Sequence, residues 1–163
     1  MKYDAHEIYP GLWQGGWPQP GRWLANQGVS TLVLCAMEYQ PPHTYPSFLE
    51  GLPGLRQANP WPGVRVLYAP NDDRSDQPPS RVTLSKAIQA GRIVASDLAA
   101  GRKVLSTCWQ GWNRSGLVSA LGLHLHLGCS GMEAVDIVQK GRRKALCNPL
   151  FVEMLYNLRP LRG

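Results

Sequence analysis

Charge is scarce in this chain: Asp, Glu, Lys and Arg together make up 17% of its 163 residues, against 44% apolar residues. That balance excludes a solvated, disordered polyelectrolyte. Acidic residues are the scarcer sign, 11 against 17 Lys and Arg, for a net charge of +6. A basic balance favours an anionic partner without choosing among phosphoprotein, RNA and lipid headgroup. No apolar run reaches about 18 residues, so no membrane span is expected. Met1-Lys2-Tyr3-Asp4-Ala5-His6-Glu7 has no apolar centre, so no signal peptide is expected either. The cysteines Cys35, Cys108, Cys129 and Cys147 lack the close spacing of a metal site. The expectation is therefore a reduced, cytoplasmic protein with free thiols, no structural metal and no cofactor.

Turn formers are plentiful, with 17 glycines and 14 prolines. Residues 7–19 suggest a short strand pair broken by glycines, and 20–27 a short helix stopped by Gly28. Thr31–Cys35, Val64–Tyr68 and Lys103–Thr107 are the apolar runs of strands buried on both faces. Residues 39–63 are Pro-rich and loop-like, with one helical turn near Phe48. Ser80 caps a helix in which Leu84, Ala87, Ile88, Gly91, Val94, Ala95 and Leu98 recur at helical spacing, ended by Gly101. Residues 115–127 are apolar nearly all round, which predicts a central buried helix. Ser130-Gly-Met-Glu133 is a capping box for a helix ending near Arg142, and Asn148-Pro149 opens the last helix. Strands alternating with helices, then helices alone, predict one α/β domain over residues 1–163, with a central, mainly parallel sheet flanked by helices.

The chemistry concentrates in Ser106-Thr-Cys-Trp-Gln-Gly-Trp-Asn-Arg-Ser-Gly116. A buried strand runs into Cys108, a short loop containing Gly111, and then Arg114 and Ser115 opening a buried helix. Backbone N–H groups of a tight loop at a helix N-terminus cradle an oxyanion. The same field stabilises a thiolate and equips Cys108 as a nucleophile. Arg114 offers a planar fork for two phosphoryl oxygens, and Gly111 gives the backbone room to turn. Asn113-Arg-Ser115 is also a glycosylation sequon, discounted because no signal peptide precedes it.

This segment resembles the active-site loop of the cysteine-dependent phosphatases, specifically the small dual-specificity group, whose pattern is His-Cys-x-x-Gly-x-x-Arg-Ser/Thr. Ile8–Gly15, Gly28–Leu34 and Gly141–Asn148 with Phe151 and Leu155 are similar to other segments of that family. The resemblance implies a metal-free phosphomonoesterase working through phosphocysteine on phosphotyrosine and phosphoserine/threonine in proteins. Cys108 is then the nucleophile. Arg114 and the backbone of Trp109, Gln110, Gly111, Trp112 and Asn113 bind the phosphoryl group, and Ser115 assists departure of the sulfur. The family's general acid lies on a separate loop, matched by Tyr68-Ala-Pro-Asn-Asp-Asp73. Asp73 is the candidate, with Asp72 and Asp76 as rivals. A monomer without membrane attachment is expected.

Thr107 stands where the family has a histidine, which weakens the expected support of loop and thiolate. Trp109, Gln110, Trp112 and Asn113 carry no charge, which disfavours phosphoinositides. Gly111-Trp-Asn-Arg-Ser-Gly116 is similar to the RNA 5′-triphosphatase branch, so an RNA 5′ end is the alternative substrate, and a non-enzymatic phosphate-binding module the alternative class. His124 and His126 are read as packing or capping residues. Trp13, Trp17, Trp23 and Trp61 are read as packing rather than lining a groove. Arg142-Arg-Lys144 is read as a solvated helix end. Cys35, Cys129 and Cys147 are read as buried hydrophobes, with Cys35 and Cys147 both open as redox partners of Cys108.

Overall fold

Apolar runs bounded by turn residues form the centre of the fold. The computed structural model describes residues 3–36 and 59–161. Five strands, β1 Ala5–Tyr9, β2 Leu12–Gly15, β3 Val29–Ala36, β4 Arg65–Asn71 and β5 Lys103–Thr107, form one sheet in the order β1-β2-β5-β3-β4. β1 is antiparallel to β2, while β2–β5, β5–β3 and β3–β4 are parallel. The expected mainly parallel sheet is therefore the observed one, with an antiparallel edge. The helical turn expected near Phe48 lies outside the described residues.

Alternation within the apolar runs buries both faces of the sheet. Val33, Cys35 and Val104 face a core shared with the helices α2 Arg81–Ala99, α3 Arg114–Leu127, α4 Gly131–Gly141 and α5 Pro149–Tyr156. Leu32, Leu34 and Leu105 face a smaller core with Trp61, Val64 and Leu24 of the short helix α1 Trp23–Asn26. α1 is shorter than the expected 20–27, because Gly21 holds φ +132 and the chain turns before it can wind.

α3 is buried along Ser115–His124, as its all-round apolar sequence predicts. It presses so closely on α2 that a Cβ on Gly122 would lie 2.5 Å from Val94 Cγ1. Ser80, the Ser130–Glu133 capping box and Asn148 cap α2, α4 and α5 as expected. Asp97, buried in α2, accepts from Thr31 Oγ1 at 2.6 Å, Arg65 Nη2 at 2.8 Å and Arg102 Nη2 at 2.7 Å. Burial opposes its charge, but the Thr31 and Arg102 hydrogen bonds and the two guanidinium charges outweigh it and hold the carboxyl below its ordinary range.

Candidate active site

β5 ends at Thr107, the loop 108–113 follows, and Arg114 is the first residue of α3. Three consecutive loop carbonyls are tied from outside. Arg142 Nη2 donates to the Gln110 carbonyl at 2.8 Å, and Gln14 Nε2 donates to those of Gly111 at 3.0 Å and Trp112 at 3.4 Å. The Leu146 amide also reaches the Trp112 carbonyl, at 3.3 Å. A trans peptide points its N–H opposite its C=O. The amides of Gly111, Trp112 and Asn113 therefore point away from these braces, the orientation an oxyanion cradle requires.

Gly111 makes this curvature possible. It holds φ +70, and a Cβ there would lie 2.3 Å from the Gly15 carbonyl carbon, so the loop rests directly on the end of β2.

Cys108 is buried at 3% exposure, and its Sγ lies 3.3 Å from Ser115 Oγ, a contact that lets the hydroxyl donate to a thiolate. Ser106 Oγ donates to the Ser115 carbonyl at 3.1 Å, which joins the strand before the loop to the helix after it. Thr107 Oγ1 donates to the Val33 carbonyl at 3.0 Å, so the hydroxyl in the family histidine's place bonds within the sheet. Leu34↔Thr107 is the last rung of the β3–β5 ladder, and the next residues on the two strands are Cys35 and Cys108. Burial, and then the electrostatic influence of Cys108, push the Cys35 thiol up.

Among the three candidate acids, Asp73 is the one joined to the loop. Its Oδ2 accepts from Asn113 Nδ2 at 2.9 Å and its Oδ1 from Asn148 Nδ2 at 2.8 Å. Asn148 also donates to the Arg74 carbonyl at 2.9 Å, while its Oδ1 caps α5 through the Leu150 amide at 3.0 Å. Asn113 Oδ1 accepts from the Asn148 amide at 3.0 Å and the Cys147 thiol at 3.3 Å. Asp76 turns away to pair with the exposed Arg74. Asp72 is exposed and makes no hydrogen bond to the loop among the described residues.

Several burial expectations fail. Arg142 is buried at 6% exposure rather than solvated. It grips Asp4 with both nitrogens, at 3.0 and 2.7 Å, and lies 2.8 Å from His6 Nδ1. Its place follows the buried stripe Ala134, Val135 and Val138 of α4, one further turn along, a periodicity that marks it in the sequence. Cys147 is exposed rather than buried, although its neighbours Leu146 and Asn148 are both buried. Cys129 is half-buried, and Cys35 is in the core as expected. Arg143 and Lys144 are solvated as expected, with Lys144 Nζ 5.1 Å over the Trp112 ring.

Sequence reasoning also overlooked Gln14, fully buried, and assigned Asn148 only a capping role. A glutamine within the otherwise apolar Leu12–Gly15 strand was the available signal for the first. An asparagine cap, which keeps an amide to donate, was the signal for the second. His124 Nδ1 lies 2.6 Å from the Cys129 carbonyl, and His126 packs edge-on against Tyr9, in keeping with capping and packing.

No family model matches the chain, and no curated protein does. Solved structures do. Human DUSP28 is 22% identical over 95% of this chain and 92% of its own, with a TM-score of 0.68. Tk-PTP in its active form is 23% identical over 95% of each chain, with a TM-score of 0.68. PTPMT1 in complex with PI(5)P is 21% identical over 93% of this chain and 92% of its own, with a TM-score of 0.70. The fold is thus that of dual-specificity phosphatases, as the resemblance implied. Among the described residues, no helix is long and apolar enough to cross a membrane.

Proposed function

We propose that this chain hydrolyses phosphate monoesters through a phosphocysteine intermediate. The observation that carries the reading is the Asp73–Asn113–Asn148 network, which fastens a carboxylate from one loop onto the loop between Cys108 and Arg114. A nucleophile, an anion cradle and a separate acid are the parts this reaction needs.

Cys108 Sγ attacks phosphorus, the P–O ester bond breaks, and Asp73 delivers a proton to the departing oxygen. Arg114 and the inward amides of the loop hold the equatorial oxygens as charge develops. Water then attacks phosphorus, Asp73 takes its proton, and the S–P bond breaks while the Ser115 hydroxyl donates to the sulfur. Inorganic phosphate and the free thiolate remain. These steps use no metal. The loop binds the phosphoryl group alone, so phosphorylated protein side chains and other monoesters are alike to it.

Phosphotransfer from nitrophenyl phosphate and phenyl phosphate, followed in single turnover with a chelator present, tests the reading. Cys108→Ser loses turnover by several decades while still binding vanadate. Asp73→Asn slows phenyl phosphate much more than the nitrophenyl ester, whose leaving group needs no proton. Substantial turnover in Cys108→Ser overturns the nucleophile. Equal slowing of both esters in Asp73→Asn overturns the acid.

A further inference from the structure

Beside the phosphate loop lies a cavity of about 710 Å3, inside the range of about 300–1,000 Å3 typical of small-molecule sites. Tyr3, Trp17, Trp23 and Trp109 supply aromatic walls, so Trp17 and Trp23 line a groove, against the expectation of packing alone, and Gln19 and Gln27 supply polar walls. The register places this cavity against the loop. Gly15 pairs with Thr107 across the parallel β2–β5 ladder, so Trp17 and Trp109 follow two residues beyond the same rung. Their rings lie 5.6 Å apart with planes at 50°. Trp109 is the residue after Cys108 and remains 44% exposed.

The polar handles nearest the loop are already engaged. The Tyr3 hydroxyl donates to the Gly16 carbonyl at 2.5 Å, its ring meeting Trp23 edge-on at 4.9 Å. Trp23 Nε1 donates to the Gln19 carbonyl at 2.7 Å. The Gln19 and Gln27 side chains are exposed and make no side-chain hydrogen bond among the described residues. Asp4 also lines the cavity, but both its oxygens are bound by Arg142. No lysine or arginine lines the cavity among the described residues.

These walls suit a flat, uncharged ring with hydrogen-bonding edges, attached to a single phosphate held next door. They do not suit a second or third phosphate, which needs cations along its length. A phenol ring would leave both glutamines unread, whereas a nucleobase stacks on aromatic faces and offers polar edges. Resting on the monoesterase reading above, we propose that the substrate is a 5′-nucleoside monophosphate, free or at an RNA 5′ end, with its phosphate on the Cys108–Arg114 loop and its base against Trp17 and Trp109.

The test compares kcat/KM on adenosine 5′-monophosphate, ribose 5-phosphate, a 5′-monophosphorylated oligoribonucleotide and a phosphotyrosine peptide. The mononucleotide should exceed ribose 5-phosphate by about 10-fold or more, the worth of one stacked base. Trp17→Ala should bring that ratio toward one, and Trp17→Phe should restore most of it. A preference for the mononucleotide or for the oligonucleotide tells the two sources apart, and either supports the proposal. A wild-type ratio near one overturns it, and so does a preferred phosphotyrosine peptide whose advantage disappears in Trp17→Ala. If every ester is inert, the monoesterase reading fails by itself, and equilibrium dialysis of wild-type protein still decides the cavity. Tighter retention of the mononucleotide than of ribose 5-phosphate supports it, and equal retention overturns it.

Discussion

Gly111→Ala is the perturbation that most directly tests how the phosphate loop is built. Two separate costs act there. A φ of +70 costs an alanine about 1–2 kcal/mol. The new Cβ would also lie 2.3 Å from the Gly15 carbonyl carbon and 2.8 Å from the Gly16 nitrogen. Gly15 cannot yield, because it is paired to β1 on one side and β5 on the other. The loop must lift instead, which breaks the 3.0 Å bond from Gln14 to the Gly111 carbonyl. Losing a buried partner costs about 1–3 kcal/mol. The sum is about 2–5 kcal/mol, and an ångström of displacement in the loop costs about 100-fold in rate. Gly101→Ala supplies the control, since Gly101 holds φ +71 with nothing within 4 Å of its added Cβ. It should lose about 1–2 kcal/mol from the φ cost alone and keep its kcat/KM. Urea unfolding and steady-state hydrolysis of nitrophenyl phosphate measure both quantities. If Gly111→Ala matches Gly101→Ala in stability and keeps its kcat/KM, the loop does not rest on β2 as described.

Three further outcomes are expected. Arg142→Met removes the donor on the Gln110 carbonyl, so vanadate affinity and kcat/KM should each fall about 10-fold or more, by the worth of a hydrogen bond to a charged group; unchanged vanadate binding by titration would remove Arg142 from loop positioning. Asp97 has a folded pKa below its unfolded value, so its contribution is present above the unfolded pKa of about 3.9 and is lost as pH falls below it. Asp97→Asn should therefore lower the urea midpoint at pH 7 while the gap to wild type closes toward pH 3, and a gap independent of pH would refute the charge assignment. Gln14→Leu removes a buried Oε1 that has no partner among the described residues but also strands the Gly111 carbonyl, two opposed penalties of about 1–3 kcal/mol each. Its Tm should change little while its kcat/KM falls, and a large Tm loss with normal kcat/KM would reverse that reading.

The core strands were legible because burial on both faces leaves an uninterrupted apolar run, as in Thr31–Cys35 and Lys103–Thr107. The strand–loop–helix unit was legible because its parts are contiguous in sequence. The braces around it were not. Gln14 reaches the Gly111 carbonyl across 97 residues, Asn148 reaches Asp73 across 75, and Arg142 reaches the Gln110 carbonyl across 32. Local pattern reports such pairs only as polar residues at positions where burial is expected. Arg142 looked like a solvated helix end because its neighbours Arg143 and Lys144 are one, and their charge masked the stripe it continues. The aromatic cavity needed the β2–β5 register, which no local spacing of tryptophans supplies.

The braces share one physical logic. Backbone amides bind an oxyanion well only if they are already aimed at it, and aiming them means holding the opposite carbonyls out of the site. Water could satisfy those carbonyls, but water does not fix their direction. Gln14 and Arg142 do so from fully or nearly fully buried positions, and each has a buried atom with no partner among the described residues, Oε1 in one and Nε in the other. An apolar core would not carry that penalty. Both side chains hold loop carbonyls, so the polar burial they cost goes with fixing the direction of the loop. Asn148 follows the same logic at Asp73, the proposed acid. One side chain caps α5, holds the Arg74 carbonyl and donates to Asp73, so the helix terminus, the acid loop and, through Asn113, the phosphate loop keep a common frame. Beside that frame the cavity wall is aromatic, with Tyr3, Trp17, Trp23 and Trp109 and no lysine or arginine among the described residues, so the selectivity proposed above rests on stacking and ring edges rather than on charge.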